Sequence, residues 1–222
     1  MNEKEMVAIE AVKLVKDGMV LGVGSGTTVA IFLKKLGERI REEEMTVYGV
    51  PSSYQSHFLC IEAGVRVVDL LEFPELDLCI DGADQIDENL NCIKGGGGAL
   101  TREKVVSQAS KRFVIIAEGR KFSKRLNSQV PVEVLPFAYG YVKRKLQEMG
   151  GICTLREGKG KLGPVVTDNG NFILDCNFGE IENPRELEVE INEVAGVVEN
   201  GIFCNVDEAI LGYPDGVKFL KR

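Results

Sequence analysis

Four consecutive glycines, Gly95 to Gly98, are the feature that most restricts the backbone of this chain. A glycine run gives up side-chain packing and costs backbone entropy, which predicts that another group approaches the backbone closely. The run follows Lys94 and lies between the acidic turn Asp81-Gly82-Ala83-Asp84 and Glu103. Carboxylates beside an ammonium group are side chains suited to proton transfer. The stretch from Asp81 to Glu103 therefore predicts a site of acid–base chemistry.

The two aspartates are expected at the end of a buried strand. The apolar run Leu76 to Ile80 ends at Asp81, and open α/β sheets bind ligands at the carboxyl ends of their strands. Thr101 is a predicted N-cap, and Glu103 then falls in the first helical turn, where the helix dipole favours a carboxylate. Each residue alone is explained about equally well as a turn or capping residue, but their combination beside a glycine run favours a catalytic site.

Apolar periodicity predicts alternating strands and helices up to Ala117, and thus an α/β fold with a doubly wound parallel sheet. From Pro131 the order becomes β-α-β-β-α-β, that of a ferredoxin-like unit. We therefore predict a catalytic domain over residues 1–130 and 205–222, with a smaller ferredoxin-like α+β domain inserted over residues 131–204. Helices are predicted at 3–16, 27–41, 53–63, 101–110, 138–149 and 184–192, and strands at 19–23, 46–50, 65–68, 76–80, 112–117, 132–135, 152–155, 172–176 and 196–204, with two short apolar runs between 208 and 220.

Composition excludes several classes of function. The chain has 222 residues, 44% of them hydrophobic, and a net charge of −7, which argues against a nucleic-acid partner. No apolar stretch approaches membrane-spanning length, so we expect a cytoplasmic protein. We further expect a homo-oligomer, either a dimer or a tetramer. The six cysteines form no C-x-x-C pair and are expected to be buried free thiols. His57 is the only histidine, and no cluster of His, Cys and carboxylates has metal-ligand spacing, so we expect no metal.

A second glycine-rich loop, Gly24-Ser25-Gly26-Thr27-Thr28, follows the first predicted strand and opens a helix. Backbone N–H groups at a helix N-terminus attract an anion, and the hydroxyls add donors that suit a phosphate. The dinucleotide pattern fails because Val29 stands where its third glycine belongs, and the P-loop pattern fails because the loop has no lysine. The loop predicts a site for a small monophosphate, or a turn that only caps the helix.

In this order, the motifs resemble those of the type A ribose-5-phosphate isomerases. The resemblance covers the whole chain, continuing through Pro131–Ala138, Val165–Asn171 and Gly196–Glu199. It implies a Rossmann-like domain with a smaller α/β domain. It also implies interconversion of D-ribose 5-phosphate and D-ribulose 5-phosphate without a cofactor. The site residues it implies are Glu103 as general base, with Asp81, Asp84 and Lys94 in the inner site, and Ser25, Gly26, Thr27, Thr28, Gly82, Ala83, Gly95, Gly96, Gly97, Lys121 and Lys4 as contacts of the sugar phosphate.

The chemistry of this reaction suits these residue types. Glu103 would carry a proton between neighbouring carbons through an enediolate. Lys94 and the N–H groups of Gly95 to Gly97 would stabilise its charge. Asp81 would either move the hydroxyl proton or help to open the sugar ring. Gln85 departs from the family, which usually has an acid there.

Two other classes of function are consistent with such an architecture. A sugar-phosphate sensor would keep the glycine-rich loop of residues 24–28, called the phosphate loop below, without needing Glu103. It would usually carry a DNA-binding segment. A coenzyme A transferase-like enzyme would use a glutamate as its nucleophile but would not need the phosphate loop. An assay of ketose formation from ribose 5-phosphate discriminates among the three classes.

Overall fold

The computed structural model describes residues 2–158, 160 and 162–222. Its contacts divide the chain into two compact units. The first unit comprises the chain up to Ala83, Arg102–Phe122 and Asn205–Arg222, and the second comprises Asp84–Thr101 and Ser123–Cys204. The helices are α1 (Glu3–Val12), α2 (Thr27–Glu43), α3 (Tyr54–Ala63), α4 (Leu100–Gln108), α5 (Tyr139–Glu148) and α6 (Pro184–Asn192). The strands are β1 (Val20–Val23), β2 (Tyr48–Pro51), β3 (Arg66–Val67), β4 (Leu78–Asp81), β5 (Gln85–Ile86), β6 (Cys92–Ile93), β7 (Phe113–Glu118), β8 (Val130–Val134), β9 (Ile152–Leu155), β10 (Phe172–Asn177), β11 (Val197–Asn200), β12 (Ile202–Phe203), β13 (Glu208–Tyr213) and β14 (Gly216–Lys221).

The first unit is built on a seven-stranded sheet in the order β14-β13-β7-β4-β1-β2-β3. Every pairing is parallel except that of β13 with the edge strand β14. The central strands are apolar along their length, as a sheet covered by helices requires, and Leu21, Ile80 and Ile115 are fully buried. This arrangement confirms the predicted α/β fold. It also brings the carboxyl ends of β1, β2, β4 and β7 to one edge of the sheet.

The first helix is fixed at its start by a capping box. Asn2 Oδ1 accepts the N–H of Glu5 at 2.9 Å, and the Glu5 carboxylate accepts the N–H of Asn2 at 3.0 Å. Val7 and Ala11 of the same helix are buried in the core of the first unit. Because the helix is held at its start and along its apolar face, the backbone at Lys4 is fixed in position.

The second unit contains a four-stranded antiparallel sheet in the order β11-β8-β10-β9. With α5 and α6 between the strands, the chain order is β-α-β-β-α-β, which is the ferredoxin-like arrangement. The core of this unit includes Val132, Leu146, Leu174 and Ile191, all fully buried.

A three-stranded sheet, β12-β6-β5, is a further part of the second unit that the sequence did not predict. Its strands are only two residues long, and Ile202 of β12 pairs with Ile93 of β6. The side chain of Gln85 accepts the N–H groups of Asn127 and Ser128 at 2.8 and 2.9 Å. These bonds join residues 84–101 to residues 123–130, two segments that group with the second unit although they were predicted within the first domain.

The expectation of six free thiols was wrong for two cysteines. Cys153 and Cys176 lie opposite each other on the antiparallel strands β9 and β10, and they form a disulfide with their Cα atoms 4.1 Å apart. Directly opposed residues on antiparallel strands come close enough for such a bond, which depends on a register that cysteine spacing does not reveal. The other cysteines, Cys60, Cys79, Cys92 and Cys204, are buried as expected.

Among the described residues, no helix is both long enough and apolar enough to span a lipid bilayer.

Candidate active site

The phosphate loop lies at the carboxyl edge of the first unit's sheet, between β1 and α2. Gly26 is the residue that precedes the helix, and its φ of 102° is a conformation that glycine adopts readily. The first N–H groups of the 17-residue helix α2, beginning at Thr27, have no partner within the helix and point out of its positive end. The loop therefore has the geometry of an anion site.

Neighbouring side chains hold this loop in place. The Ser25 hydroxyl donates to Ser53 Oγ at 2.7 Å and lies 2.9 Å from Ser52 Oγ, and both serines follow β2. The N–H of Gly26 donates to the side-chain oxygen of Gln55 at 2.8 Å. The sequence pattern did not predict a role for Ser52, Ser53 and Gln55, although the Pro51-Ser52-Ser53 run after a strand indicates a polar loop at that edge.

Lys4 supplies a cation to the phosphate loop. Its Nζ donates to Thr27 Oγ1 at 2.9 Å and lies 3.7 Å from the carboxylate of Glu118, at the end of β7. Lys121 lies on the short 3₁₀ turn that follows β7. Burial raises the pKa of Glu118, but Arg120, Lys4 and Lys121 outweigh burial and hold the pKa below its usual value. Positive charges therefore surround this carboxylate.

Asp81 ends β4 and is completely buried. Its Oδ1 accepts the N–H groups of Gly82 at 2.7 Å and Ser25 at 3.2 Å, so the carboxylate is tied to the phosphate loop. A Cβ on Gly24 would lie 1.9 Å from the same oxygen, which explains why glycine is required there. Gly82 is half-buried on the turn after the strand, and Ala83, also half-buried, is the last residue of this segment of the first unit.

We expect Gly24→Ala to lower kcat/KM for ribose 5-phosphate, the substrate that the family resemblance implies, at least about tenfold, because the new methyl group must displace the Asp81 carboxylate. Gly140→Ala is the matched control, since a Cβ at that glycine meets nothing within 4 Å. Steady-state kinetics of both variants check this expectation. Unchanged kinetics of Gly24→Ala would mean that the position of Asp81 does not matter to the reaction.

Glu103 lies in the first turn of α4 and is 5% exposed. The carbonyl of Ala109, just after this helix, accepts the N–H of Leu76 at 2.8 Å, so the helix ends at the amino edge of the sheet. Its start is therefore directed towards the carboxyl edge. Val106 packs against Gly22 of β1, where a Cβ would lie 2.5 Å from it, and Glu103 is one turn, about 4.5 Å, nearer the start of the helix. The first unit thus directs Glu103, Asp81 and the phosphate loop towards the same edge of its sheet.

The second unit brings together Asp84, Lys94 and the glycine run. Asp84 is half-buried, and its Oδ2 accepts the N–H of Gly96 at 2.7 Å. Lys94 is 3% exposed, and its Nζ lies 5.5 Å from the centre of the Phe203 ring, whose face attracts a cation. The N–H of Gly98 donates to the carbonyl of Gly95 at 2.9 Å, and this bond forms a turn within the glycine run.

Two expectations about this segment need correction. Helix α4 begins at Leu100, so Thr101 is not its N-cap, and the Thr101 hydroxyl donates instead to Glu133. The buried carboxylate of Glu133, which no capping pattern predicts, draws the hydroxyl away from the helix. The N–H of Gly96 is used by Asp84 rather than left open for a reaction intermediate. A Cβ on Gly97 would meet nothing within 4 Å, so this glycine leaves open space.

Within residues 2–158, 160 and 162–222, no three His, Cys, Asp or Glu side chains are grouped closely enough to hold a metal ion. The residues predicted for the site are carboxylates, lysines, hydroxyls and backbone amides, which are groups that interact with a ligand through hydrogen bonds and charge.

Comparisons with known proteins show which family the chain belongs to. Residues 48–216 match the family model of ribose 5-phosphate isomerase A (phosphoriboisomerase A). The chain is 60% identical over 214 residues to ribose-5-phosphate isomerase A of Archaeoglobus fulgidus, covering 95% of each protein. The solved ribose 5-phosphate isomerase A of Methanocaldococcus jannaschii is 50% identical, with a TM-score of 0.96 over 99% of this chain and 98% of that one. A solved D-ribose-5-phosphate isomerase in complex with phospho-erythronic acid is 42% identical, with a TM-score of 0.97 over 100% of both chains. The chain belongs to the ribose 5-phosphate isomerase A family.

Proposed function

We propose that this chain interconverts D-ribose 5-phosphate and D-ribulose 5-phosphate, with Glu103 as the group that carries the proton. The observation that supports this most is the nearly buried Glu103 carboxylate, directed towards the same sheet edge as an anion-binding helix N-terminus. A proton carrier needs a fixed carboxylate shielded from water, and a phosphorylated sugar needs the anion site. The two solved isomerases match this chain over at least 99% of its length, which supports the same activity.

The reaction moves one carbon-bound proton. Glu103 removes the proton from carbon 2 of the open-chain aldose, and the electron pair forms the double bond of an enediolate. The protonated Glu103 then delivers a proton to carbon 1, while a hydroxyl proton moves from oxygen 2 to oxygen 1. No cofactor is needed because the substrate both supplies and receives the electron pair. A carboxylate that acts as a general base typically contributes ~10²–10⁴-fold to the rate.

Lys94, Asp81 and Asp84 have the remaining roles in the proposed reaction. Lys94 places a positive charge against the oxygen of the enediolate, where it stabilises the intermediate more than the substrate. Asp81, held by two backbone N–H groups, either transfers the hydroxyl proton between oxygens 1 and 2 or assists ring opening. Asp84 accepts a hydrogen bond from a sugar hydroxyl, which fixes the carbon skeleton.

We assign the phosphate group of the sugar to the start of α2, with Thr27, Thr28 and the N–H groups of the helix as donors. Lys4, already bonded to Thr27, and Lys121 add positive charge. The carboxyl that Lys4 contacts, Glu118, is held in its charged form, which keeps Lys4 in place until the more highly charged phosphate arrives. Binding energy from this remote group orients the sugar over Glu103.

We expect the double variant Thr27→Ala, Thr28→Ala to raise KM for ribose 5-phosphate at least about tenfold, since hydrogen bonds to a charged group are lost. The proton-transfer machinery stays intact, so kcat should change much less. Thr154→Ala, which removes an exposed hydroxyl from β9, is the control. If the double variant still prefers ribose 5-phosphate to free ribose as strongly as the wild type, the loop is only a helix cap.

An assay of ketose formation from ribose 5-phosphate tests the proposed activity. A sensor would bind the sugar phosphate without turnover, and a transferase would need a thioester substrate. Near-full-length relatives named as isomerases favour turnover of the sugar phosphate alone. Absence of ketose in an assay with folded protein would overturn the proposal.

We further propose that the protein acts in the cytoplasm as a homo-oligomer, either a dimer or a tetramer. Light scattering on the purified protein measures the number of subunits directly. A mass near 24.4 kDa would identify a monomer and would overturn this part of the proposal.

A further inference from the structure

Arg156 reaches the glycine run of the second unit from the end of strand β9. Its guanidinium forms a two-pronged ion pair with Asp175 of β10, with Nε 2.8 Å from Oδ2 and Nη2 on Oδ1. Both side chains are largely buried, at 16% and 18% exposure. The remaining nitrogen, Nη1, donates to the carbonyls of Gly95 at 2.8 Å and Gly96 at 3.2 Å.

These contacts hold one peptide group through both its carbonyl and its N–H. The peptide between Gly95 and Gly96 accepts a hydrogen bond from Arg156 at its carbonyl and donates one to Asp84 at its N–H, at 2.7 Å. The result is a continuous chain of bonds from Asp175 through Arg156 and the peptide to the Asp84 carboxylate. A positive charge at the carbonyl polarises the peptide and strengthens the bond that its N–H donates.

We propose that Arg156 is a positioning residue for Asp84. By fixing the plane of the Gly95–Gly96 peptide, it holds the Asp84 carboxylate in one orientation, ready to accept the sugar hydroxyl. This inference rests on the role given to Asp84 in the proposed function.

Arginine suits this task better than lysine does. Two nitrogens of its planar guanidinium group pair with Asp175, and the third still donates to the glycine carbonyls. A lysine ammonium keeps the charge but cannot hold the same geometry on both sides. A Cβ on Gly96 would lie 2.7 Å from Asp84 Oδ1, so the close approach of peptide and carboxylate also depends on glycine.

A double-mutant cycle tests whether Arg156 acts through Asp84. We expect Arg156→Met to lower kcat/KM for ribose 5-phosphate about 10- to 100-fold in the wild-type background, and Arg156→Lys to give an intermediate loss. In an Asp84→Asn background, Arg156→Met should change kcat/KM less than about threefold, because the carboxylate that it positions is gone.

Two controls separate positioning from general loss of structure. Arg125→Met removes the exposed ion pair with Glu180, and Arg144→Met removes the exposed ion pair with Glu148 within α5, both in the second unit. We expect near wild-type kcat/KM from both at a temperature where each is folded. If Arg156→Met does not fold, Arg156→Lys takes its place in the cycle.

The outcomes distinguish this inference from the proposed function. If Asp84→Asn is impaired and the losses from Arg156 and Asp84 multiply, Arg156 does not act through Asp84 and the inference fails alone. If Asp84→Asn keeps wild-type kinetics, the role proposed for Asp84 fails and the inference fails with it. If the wild-type protein forms no ketose, the proposed activity itself is wrong.

Discussion

Glu103→Gln is expected to lower kcat for ribose 5-phosphate by at least ~10²-fold while leaving substrate binding nearly unchanged. The amide has the shape of the carboxylate but cannot accept the proton from carbon 2. Because the side chain is almost fully buried, water has little access to replace it as a base. Turnover by steady-state kinetics and binding by calorimetry measure the two effects separately.

Glu186→Gln is the matched control for this variant. Glu186 occupies the first turn of α6, as Glu103 does in α4, but it is exposed and far along the chain from the proposed machinery. We expect wild-type kcat from the control. A Glu103→Gln enzyme that keeps more than about a tenth of the wild-type rate would show that another residue is the base.

Lys94→Met should produce the next largest loss, about 10²–10³-fold in kcat, which is typical for removal of one group that stabilises an oxyanion. The methionine keeps most of the buried chain of the lysine and removes its charge. Since the positive charge matters most as the enediolate forms, kcat should fall far more than substrate affinity does.

A second lysine with a similar ring contact provides the control. Lys143 in α5 has its Nζ 5.9 Å from the Tyr139 ring centre, so Lys143→Met removes a comparable contact between a cation and a ring in the same unit. We expect its kinetics to match the wild type. Weak binding by Lys94→Met with normal turnover would assign Lys94 to substrate binding alone.

Much of the architecture could be predicted because long apolar patterns determine it. The parallel sheet follows from buried apolar strands such as Phe113–Glu118, and the ferredoxin-like order follows from the change in pattern after Pro131. The pairs of residues in β5, β6 and β12 carry no readable period, because two residues cannot establish an alternation. β6 pairs with its neighbour β5 and also with β12, which lies far along the chain, so this small sheet depends on tertiary pairing.

The candidate site could likewise be predicted only in part from the sequence. Asp81 and the phosphate loop follow strand ends, so their position at one sheet edge could be expected from the sequence. The Cys153–Cys176 disulfide depends on strand register, and the bond of Thr101 to Glu133 depends on tertiary packing. No sequence pattern predicts the contacts of Arg156, because its partners at the glycine run are backbone carbonyls, which every residue has.

Isomerisation in D₂O, followed by NMR, tests the central claim most directly. If Glu103 carries the proton between the two carbons, the wild-type enzyme will form ribulose 5-phosphate and exchange carbon-bound protons with solvent during turnover, with deuterium at carbon 1 of the ketose. The Glu103→Gln enzyme will show neither exchange nor ketose above the rate of the uncatalysed reaction. Deuterium entering carbon 1 at the wild-type rate in the variant would contradict the assignment of Glu103 as the proton carrier.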